Sequence, residues 1–155
     1  MRTIGQLLGE APVFAGIGDE YLELIAGCGQ NVRLATDRRL FHEGEPADTF
    51  YVVRHGAVAL EIARPARPPV VVETLHDGDV VGWSWLVSPY RWHFDARAVE
   101  PTAGVAMDGA CLRGKCAEDT ALGFELMQRF SQVMVERLQS TRMRLLDVYG
   151  DPRAS

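Results

Sequence analysis

The chain has 155 residues, of which 47% are hydrophobic and 24% are charged, and its formal net charge at pH 7 is -5. These values exclude a largely disordered chain, and the acidic balance argues against a nucleic-acid partner, since phosphate neutralisation needs a basic face. No apolar run approaches the roughly 18 residues of a membrane helix, and the N-terminus has no signal-peptide core, so no membrane partner is expected. Three cysteines, an odd number, favour a reducing, cytoplasmic location over a disulfide framework.

Residues 1–30 are predicted to form N-terminal helices, because their apolar side chains recur at helical spacing. Asp19 is the expected N-cap of the second helical segment, since its carboxylate can accept from the free amides of a first turn. Gly27 and Gly29 are expected to end that segment.

Residues 31–107 show the pattern of short strands, several with alternating apolar and polar residues. Turns rich in glycine recur about every ten residues, which favours an antiparallel roll over a parallel sheet. Three prolines within residues 64–69 lack amide donors, so that segment is predicted to be an exposed hairpin loop. The predicted strands are Asn31–Ala35, Arg39–His42, Thr49–Arg54, Ala57–Ile62, Val70–Leu75, Val80–Val81, His93–Ala98 and Thr102–Ala106.

Residues 108–150 are predicted to form C-terminal helices, the last of them about 28 residues long and ending near Gly150 as its C-cap. Its apolar positions follow spacings of four and three: Leu122, Leu126, Phe130, Met134, Leu138, Thr141, Leu145 and Val148. Such a helix is longer than the small roll on which it would pack. We therefore expect its distal half to bury its stripe against a second copy, as a homodimer.

Glycines and acidic turn residues in the middle of the chain form a recognisable series. A turn runs over residues 44–48, Gly56 interrupts a strand, and Gly78-Asp79 precedes an apolar pair and Gly82. This series resembles the cyclic nucleotide-binding domain family, the sensor module of the catabolite activator protein, over about residues 14–149. The resemblance implies a mainly β fold, an antiparallel double-stranded β-helix (jelly roll) with N-terminal helices and a long C-terminal helix. We expect one domain over residues 1–155, without a DNA-binding domain.

The resemblance also implies a ligand site, because backbone amides of the turn after Gly82 face an anion in the family. Two side chains of the family pattern are replaced here. Trp83 stands at the position of a ribose-binding glutamate, and Trp92 at that of a phosphate-binding arginine, with Arg91 one residue earlier. The candidate ligand-binding residues are therefore Gly82, Trp83, Ser84, Trp85, Arg91, Trp92, His93 and Thr141.

These replacements leave alternatives open. Trp83 and Trp92 either stack on a flat ligand ring or fill the pocket and abolish binding. Arg91 is either a displaced phosphate ligand or a surface arginine. Thr141 either contacts a base, as the resemblance implies, or faces solvent on a helix of the dimer. Trp85 is as readily a core residue as a ligand contact.

Other chemistries find little support. The histidines are isolated and form no His-x-His pair, and the cysteines match no zinc or iron–sulfur spacing, so neither a metal nor a catalytic site is predicted. The first hypothesis is a regulatory module that binds a nucleotide-like or other aromatic anion, cyclic AMP or cyclic GMP among them, and signals through its C-terminal helix to an unknown partner protein. The second is a pseudo-sensor or scaffold domain. A third is a haem sensor with His93 or another histidine as axial ligand.

Overall fold

The computed structural model describes residues 2–149, which form four α-helices, a short 3-10 helix and eight strands. The helices are α1 (Ile4–Gly9), the 3-10 helix (Pro12–Phe14), α2 (Asp19–Ala26), α3 (Gly109–Glu118) and α4 (Thr120–Tyr149). The strands are β1 (Gly29–Leu34), β2 (Arg39–Phe41), β3 (Thr49–His55), β4 (Val58–Arg64), β5 (Arg67–Leu75), β6 (Val80–Val81), β7 (Asp95–Ala98) and β8 (Thr102–Asp108). None of the described helices combines the length and the apolar character that a bilayer crossing requires.

The strands form two four-stranded sheets, in the orders β1-β8-β3-β6 and β2-β7-β4-β5. Every pair is antiparallel, and Val52 of β3 lies opposite Val105 of β8 in the first sheet. Side chains from both sheets are buried in one cluster, including Val52 and Val105 from the first and Val58 and Leu60 from the second. The predicted jelly roll with helices at its two ends is confirmed.

The hairpin loop predicted over residues 64–69 is shorter than expected. Strands β4 and β5 continue into it, and only Pro65 and Ala66 separate them, with Ala66 in the left-handed region at φ 54°. Pro68 and Pro69 belong to β5, which is the edge strand of its sheet. An edge strand needs no amide donor on its outer side, which is why prolines are tolerated there.

The N-terminal helices are confirmed, with one change at the start of α2. The N-cap is Gly18, whose φ of 97° suits glycine, and Asp19 is the first helical residue, so the prediction of Asp19 as N-cap was wrong. The 3-10 helix carries the fully buried Phe14. Arg129 of α4 donates to the carbonyl oxygens of Val13 (3.2 Å) and Ala15 (2.7 Å), so the first half of α4 is bonded to the segment around the 3-10 helix.

Helix α4 changes character along its length. Its first half is anchored by Leu122, Leu126 and Phe130, all fully buried, whereas Leu138 and Leu145 are 62% and 53% exposed. The distal half therefore leaves apolar side chains uncovered on part of its surface. The predicted C-cap, Gly150, lies outside the described residues.

Two of the three cysteines are paired. Cys28, between α2 and β1, forms a disulfide with Cys111 in the first turn of α3, and Cys116 is a free thiol. The prediction that the cysteines form no disulfide was wrong, because a separation of 83 residues in sequence gives no hint that β8 returns α3 to the start of β1.

Candidate functional site

The turn after β6 has the features of an anion-binding turn. Gly82 adopts a φ of 89°, and the amide of Leu86 then donates to the carbonyl oxygen of Trp83 (3.0 Å), which closes a helical turn. The amides of Trp83, Ser84 and Trp85 donate to no other group in the described part of the chain. These amides are therefore available to an anion at the turn's N-terminal side. We call residues 82–86 the cassette turn.

A cavity of about 240 Å³ lies beside the cassette turn, between β4 and α4. It is just below the roughly 300 Å³ at which typical small-molecule pockets begin. Its walls are mainly aromatic and aliphatic, with one guanidinium and one imidazole among them. The lining residues are Phe41, Leu60, Gly82, Trp83, Ser84, Trp92, His93, Phe94 and Arg137.

Trp92 forms a fixed wall of this cavity. It is only 4% exposed and stacks on Phe41 with ring centroids 3.8 Å apart and planes 6° from parallel. A Cβ atom at position 82 would overlap the indole ring, so this placement of Trp92 requires Gly82. The position that the family resemblance assigns to a phosphate-binding arginine is thus occupied by a packed aromatic side chain.

Trp85 lies beneath the cassette turn, away from the cavity. It is fully buried, stacks on Phe50 at 4.5 Å and meets the edge of Phe130 at 5.2 Å. Its indole Nε1 has no hydrogen-bond partner among the described residues. The Trp85 side chain is therefore part of the core that supports the turn.

Arg137 of α4 supplies a cation to the cavity. Its guanidinium lies over the Trp83 ring, 5.2 Å from the centroid, donates to the carbonyl oxygen of Val80, and has its Nε atom 3.9 Å from Oε2 of Glu73. Its Nη1 atom is buried and has no partner within residues 2–149. A buried donor of a charged group without an acceptor is rare in native proteins, and a bound anion or a water molecule can supply the acceptor.

Burial lowers the pKa of the Arg137 guanidinium from its ordinary value, and the carboxylates of Glu73, Asp79 and Glu136 oppose that shift. Arginine keeps its charge across the physiological range even so. The site therefore combines a permanent, partly desolvated positive charge with flat aromatic walls.

Besides Trp85, two more candidate residues lie outside the cavity. Arg91 is exposed, and its Nη1 atom donates to the carbonyl oxygen of Gly44 at 3.1 Å. Thr141 is exposed, and its hydroxyl donates to the carbonyl oxygen of Arg137 at 2.9 Å. Sequence reasoning chose Thr141 on this helix and left Arg137 out of the site. The available signal was their four-residue spacing, which places both on one helix face.

Helix α3 also contacts the cassette turn. Arg113 donates through Nη1 to the carbonyl oxygens of Trp85 (2.7 Å) and Ala47 (3.3 Å), and its guanidinium lies 4.4 Å from the centroid of the Tyr90 ring. Its Nη2 atom pairs with Asp48 at 3.3 Å. Arg113 thus joins α3 to the turn from behind the cavity.

The backbone of the neighbouring strands holds α4 in place over the cavity. Arg137 donates to the carbonyl oxygen of Val80 at the start of β6, and Arg144, two turns later, donates to that of Val72 in β5. The distal half of α4 is therefore bonded to each of the two sheets at one point, to β6 by Arg137 and to β5 by Arg144.

Comparison with known proteins agrees with this geometry. The family model for the cyclic nucleotide-binding domain matches residues 31–119. A CRP-like cAMP-activated global transcriptional regulator of Mycobacterium tuberculosis is 23% identical over 143 residues, covering 92% of this chain and 62% of that protein. The chain thus spans less than two thirds of the length of this relative.

Solved structures show the same fold. A putative cyclic nucleotide-binding protein from Geobacter metallireducens is 29% identical, with a TM-score of 0.78 over 89% of this chain and 99% of that one. The catabolite activator protein of Thermus thermophilus, 20% identical, matches with a TM-score of 0.69 over 87% of this chain and 62% of that one. With its jelly roll, its glycine-opened cassette turn and a family match over more than half its length, the chain belongs to the cyclic nucleotide-binding domain family.

Proposed function

We propose that the protein is a regulatory module that binds a nucleotide-like or other aromatic anionic ligand in the cavity beside the cassette turn. The observation that carries this proposal is the Arg137 guanidinium beside an aromatic cavity, with its Nη1 atom buried and without a partner within residues 2–149. A ligand anion supplies the missing acceptor, and the free amides of Trp83 and Ser84 supply further donors. A flat ring stacks on the half-buried face of Trp83.

Cyclic AMP and cyclic GMP are the first ligands to test, because the names of matched relatives include cAMP activation and cyclic nucleotide binding. Trp83 cannot accept a hydrogen bond from a ribose hydroxyl as a glutamate does, since the indole has only a donor. We therefore expect cyclic nucleotide affinity to rest on the anion and the base.

Ligand binding is proposed to act on α4 through Arg137. In the described arrangement its guanidinium is held by the Val80 carbonyl and lies near Glu73. A ligand anion competes with these two acceptors for the guanidinium. If Arg137 pairs with the anion more favourably in another position of α4, the ligand shifts the helix towards that position. The output passes from α4 to a second copy or to a partner protein.

The first prediction tests the cation by calorimetric titration of cyclic AMP and cyclic GMP. The Arg137→Gln variant is expected to lose about tenfold or more in affinity, because a charged hydrogen bond contributes roughly 1.5–3 kcal/mol. Arg142→Gln is the matched control. Arg142 is exposed on the same helix and makes no hydrogen bond or ion pair within residues 2–149. The affinity of this variant for the nucleotides is therefore expected to equal that of the wild-type protein.

A second function is favoured by Trp92, whose ring fills the space against Gly82 where a ligand phosphate is bound in the resembled family. On this alternative the domain is a pseudo-sensor, a protein-interaction or scaffold unit. The same titration decides between the two. If the dissociation constant of the wild-type protein for both nucleotides exceeds about 1 mM, a binding free energy of roughly -4 kcal/mol, the nucleotide proposal is wrong. That result favours the scaffold role.

We also propose that the exposed stripe of α4 is a homodimer surface. Five of its uncovered apolar residues lie three, seven or eight residues apart along nearly six turns, so they share one face of the helix. They are Phe124, Met127, Val135, Leu138 and Leu145.

The second prediction is that Leu138→Glu raises the dimer dissociation constant about a hundredfold or more, since it places a charge in an apolar seam of each copy. Gln139→Glu adds the same charge at the neighbouring exposed position and is expected to change it little. Sedimentation equilibrium measures both. If the wild-type protein remains monomeric over a 100-fold range of concentration, the dimer proposal is wrong.

A further inference from the structure

A cleft of about 330 Å³ opens over the Cys28–Cys111 disulfide, bounded by the link between α2 and β1, by β8 and by the first turn of α3. Cys28 is 7% exposed, whereas Cys111 is only half-buried. The cleft is of a size that admits a small molecule to the Cys111 sulfur. Neither the binding site nor the dimer surface uses this disulfide.

The two cysteines are held together by contacts that do not depend on the sulfur–sulfur bond. The amide of Asp108 donates to the carbonyl oxygen of Cys28 at 2.7 Å, and the Nζ atom of Lys115 donates to that of Leu24 at 2.6 Å. With these contacts in place the thiols stay close after reduction, so their reclosure is intramolecular and favoured by a high effective concentration.

Cys111 lies between two residues that hold the cassette turn. Gly109 packs so closely on Trp85 that a Cβ atom there would be 2.9 Å from the Trp85 Cβ atom, and Arg113 donates to the Trp85 carbonyl oxygen at 2.7 Å. The disulfide therefore fixes the part of α3 that supports the turn.

From this arrangement we infer that Cys28–Cys111 is a reversible thiol–disulfide exchange site for low-molecular-weight thiols of the glutathione class, and that its state sets how firmly α3 holds the cassette turn. The inference does not depend on which ligand the cavity binds.

The exchange balances in two steps. A thiolate attacks the Cys111 sulfur, the bond to Cys28 breaks, and the Cys28 thiolate leaves and takes up a proton. A second thiolate attacks the outer sulfur of the mixed disulfide, which releases the Cys111 thiolate and a small-molecule disulfide; two thiols are oxidised and the protein disulfide is reduced. Burial and, to a lesser extent, Asp119 raise the pKa of the Cys116 thiol, so less of it is present as the thiolate that attacks disulfides.

The redox test equilibrates the whole protein in a series of reduced and oxidised glutathione mixtures and measures the reduced fraction by mass spectrometry of blocked thiols. The wild-type protein and Cys116→Ser are expected to titrate alike and to reach the same reduced fraction from the oxidised and from the reduced starting state. Lys115→Gln is expected to shift the equilibrium about fivefold towards the dithiol, because one of the contacts that hold the thiols together is lost. A disulfide that stays intact or forms only between copies overturns the exchange site.

The structural test is hydrogen exchange of the reduced and oxidised wild-type protein. Reduction is expected to speed exchange at the amides of Leu86 and Val87, which close the cassette turn, by several-fold, and to leave Leu60 in β4 unchanged. In Arg113→Gln the difference between the two redox states at the turn is expected to shrink. If reduction speeds amide exchange equally in all segments, or not at all at the cassette turn, the coupling between the disulfide and the turn is wrong. The glutathione titration tests the exchange site independently of this result.

Discussion

Replacing Gly82 by alanine is expected to lower the free energy of unfolding by about 3–5 kcal/mol. Two costs add: the φ of 89° is unfavourable for a residue with a side chain, and the new Cβ atom overlaps the Trp92 ring. The ring cannot move aside cheaply, because it is 4% exposed and stacked on Phe41. Urea denaturation measures the loss.

Gly44→Ala is the matched control, because Gly44 has almost the same φ, 87°, and no described atom lies within 4 Å of a Cβ there. It is expected to cost only about 1 kcal/mol. In the double variant Gly82→Ala, Trp92→Ala the overlap is relieved, so the loss is smaller than the sum of the two single losses. A Gly82→Ala protein as stable as Gly44→Ala contradicts the described position of Trp92.

Phe130→Ala is expected to destabilise the protein by about 3–5 kcal/mol, the usual cost of removing a fully buried aromatic ring. Phe130 meets Phe14 at 6.2 Å, Phe50 at 5.9 Å and Trp85 at 5.2 Å, so one ring joins α4 to the N-terminal helices, to β3 and to the core under the cassette turn. Its loss leaves a cavity at the point where these layers meet.

Phe124→Ala on the same helix provides the comparison, since Phe124 is 66% exposed. It is expected to change the free energy of unfolding by less than about 0.5 kcal/mol. Because Phe124 also belongs to the proposed dimer surface, thermal and urea unfolding are measured at a concentration at which both variants are monomeric by sedimentation equilibrium. Similar losses for the two variants would contradict the packing of α4.

The strand pattern predicted the fold well because glycine and proline define the turns of this roll locally. Gly56 and Gly78 adopt φ of 124° and 87°, conformations that glycine suits, and both stand at strand ends as expected. The segment over residues 64–69 was harder to predict. Whether Pro68 and Pro69 end a strand or lie in it depends on whether the strand is at a sheet edge, and that is a property of the whole sheet order.

The site was predicted less completely, because side-chain direction decides it. Gly82, Trp83, Ser84, Trp92 and His93 do line one cavity. Position in the sequence alone could not show that Arg91 turns outward to the carbonyl of Gly44, or that Arg137 reaches in from α4, since 46 positions separate these arginines and only the fold relates them.

The two fastenings of α4 end on main-chain oxygens, those of Val72 and Val80. Replacing either valine by another amino acid leaves the carbonyl acceptor in place. The side chains at these two positions can therefore change in evolution while the hydrogen bonds to α4 are kept. Under the proposed signalling through α4, a genetic selection for alleles that act without ligand should accordingly yield changes at codons 137 and 144 far more often than at codons 72 and 80.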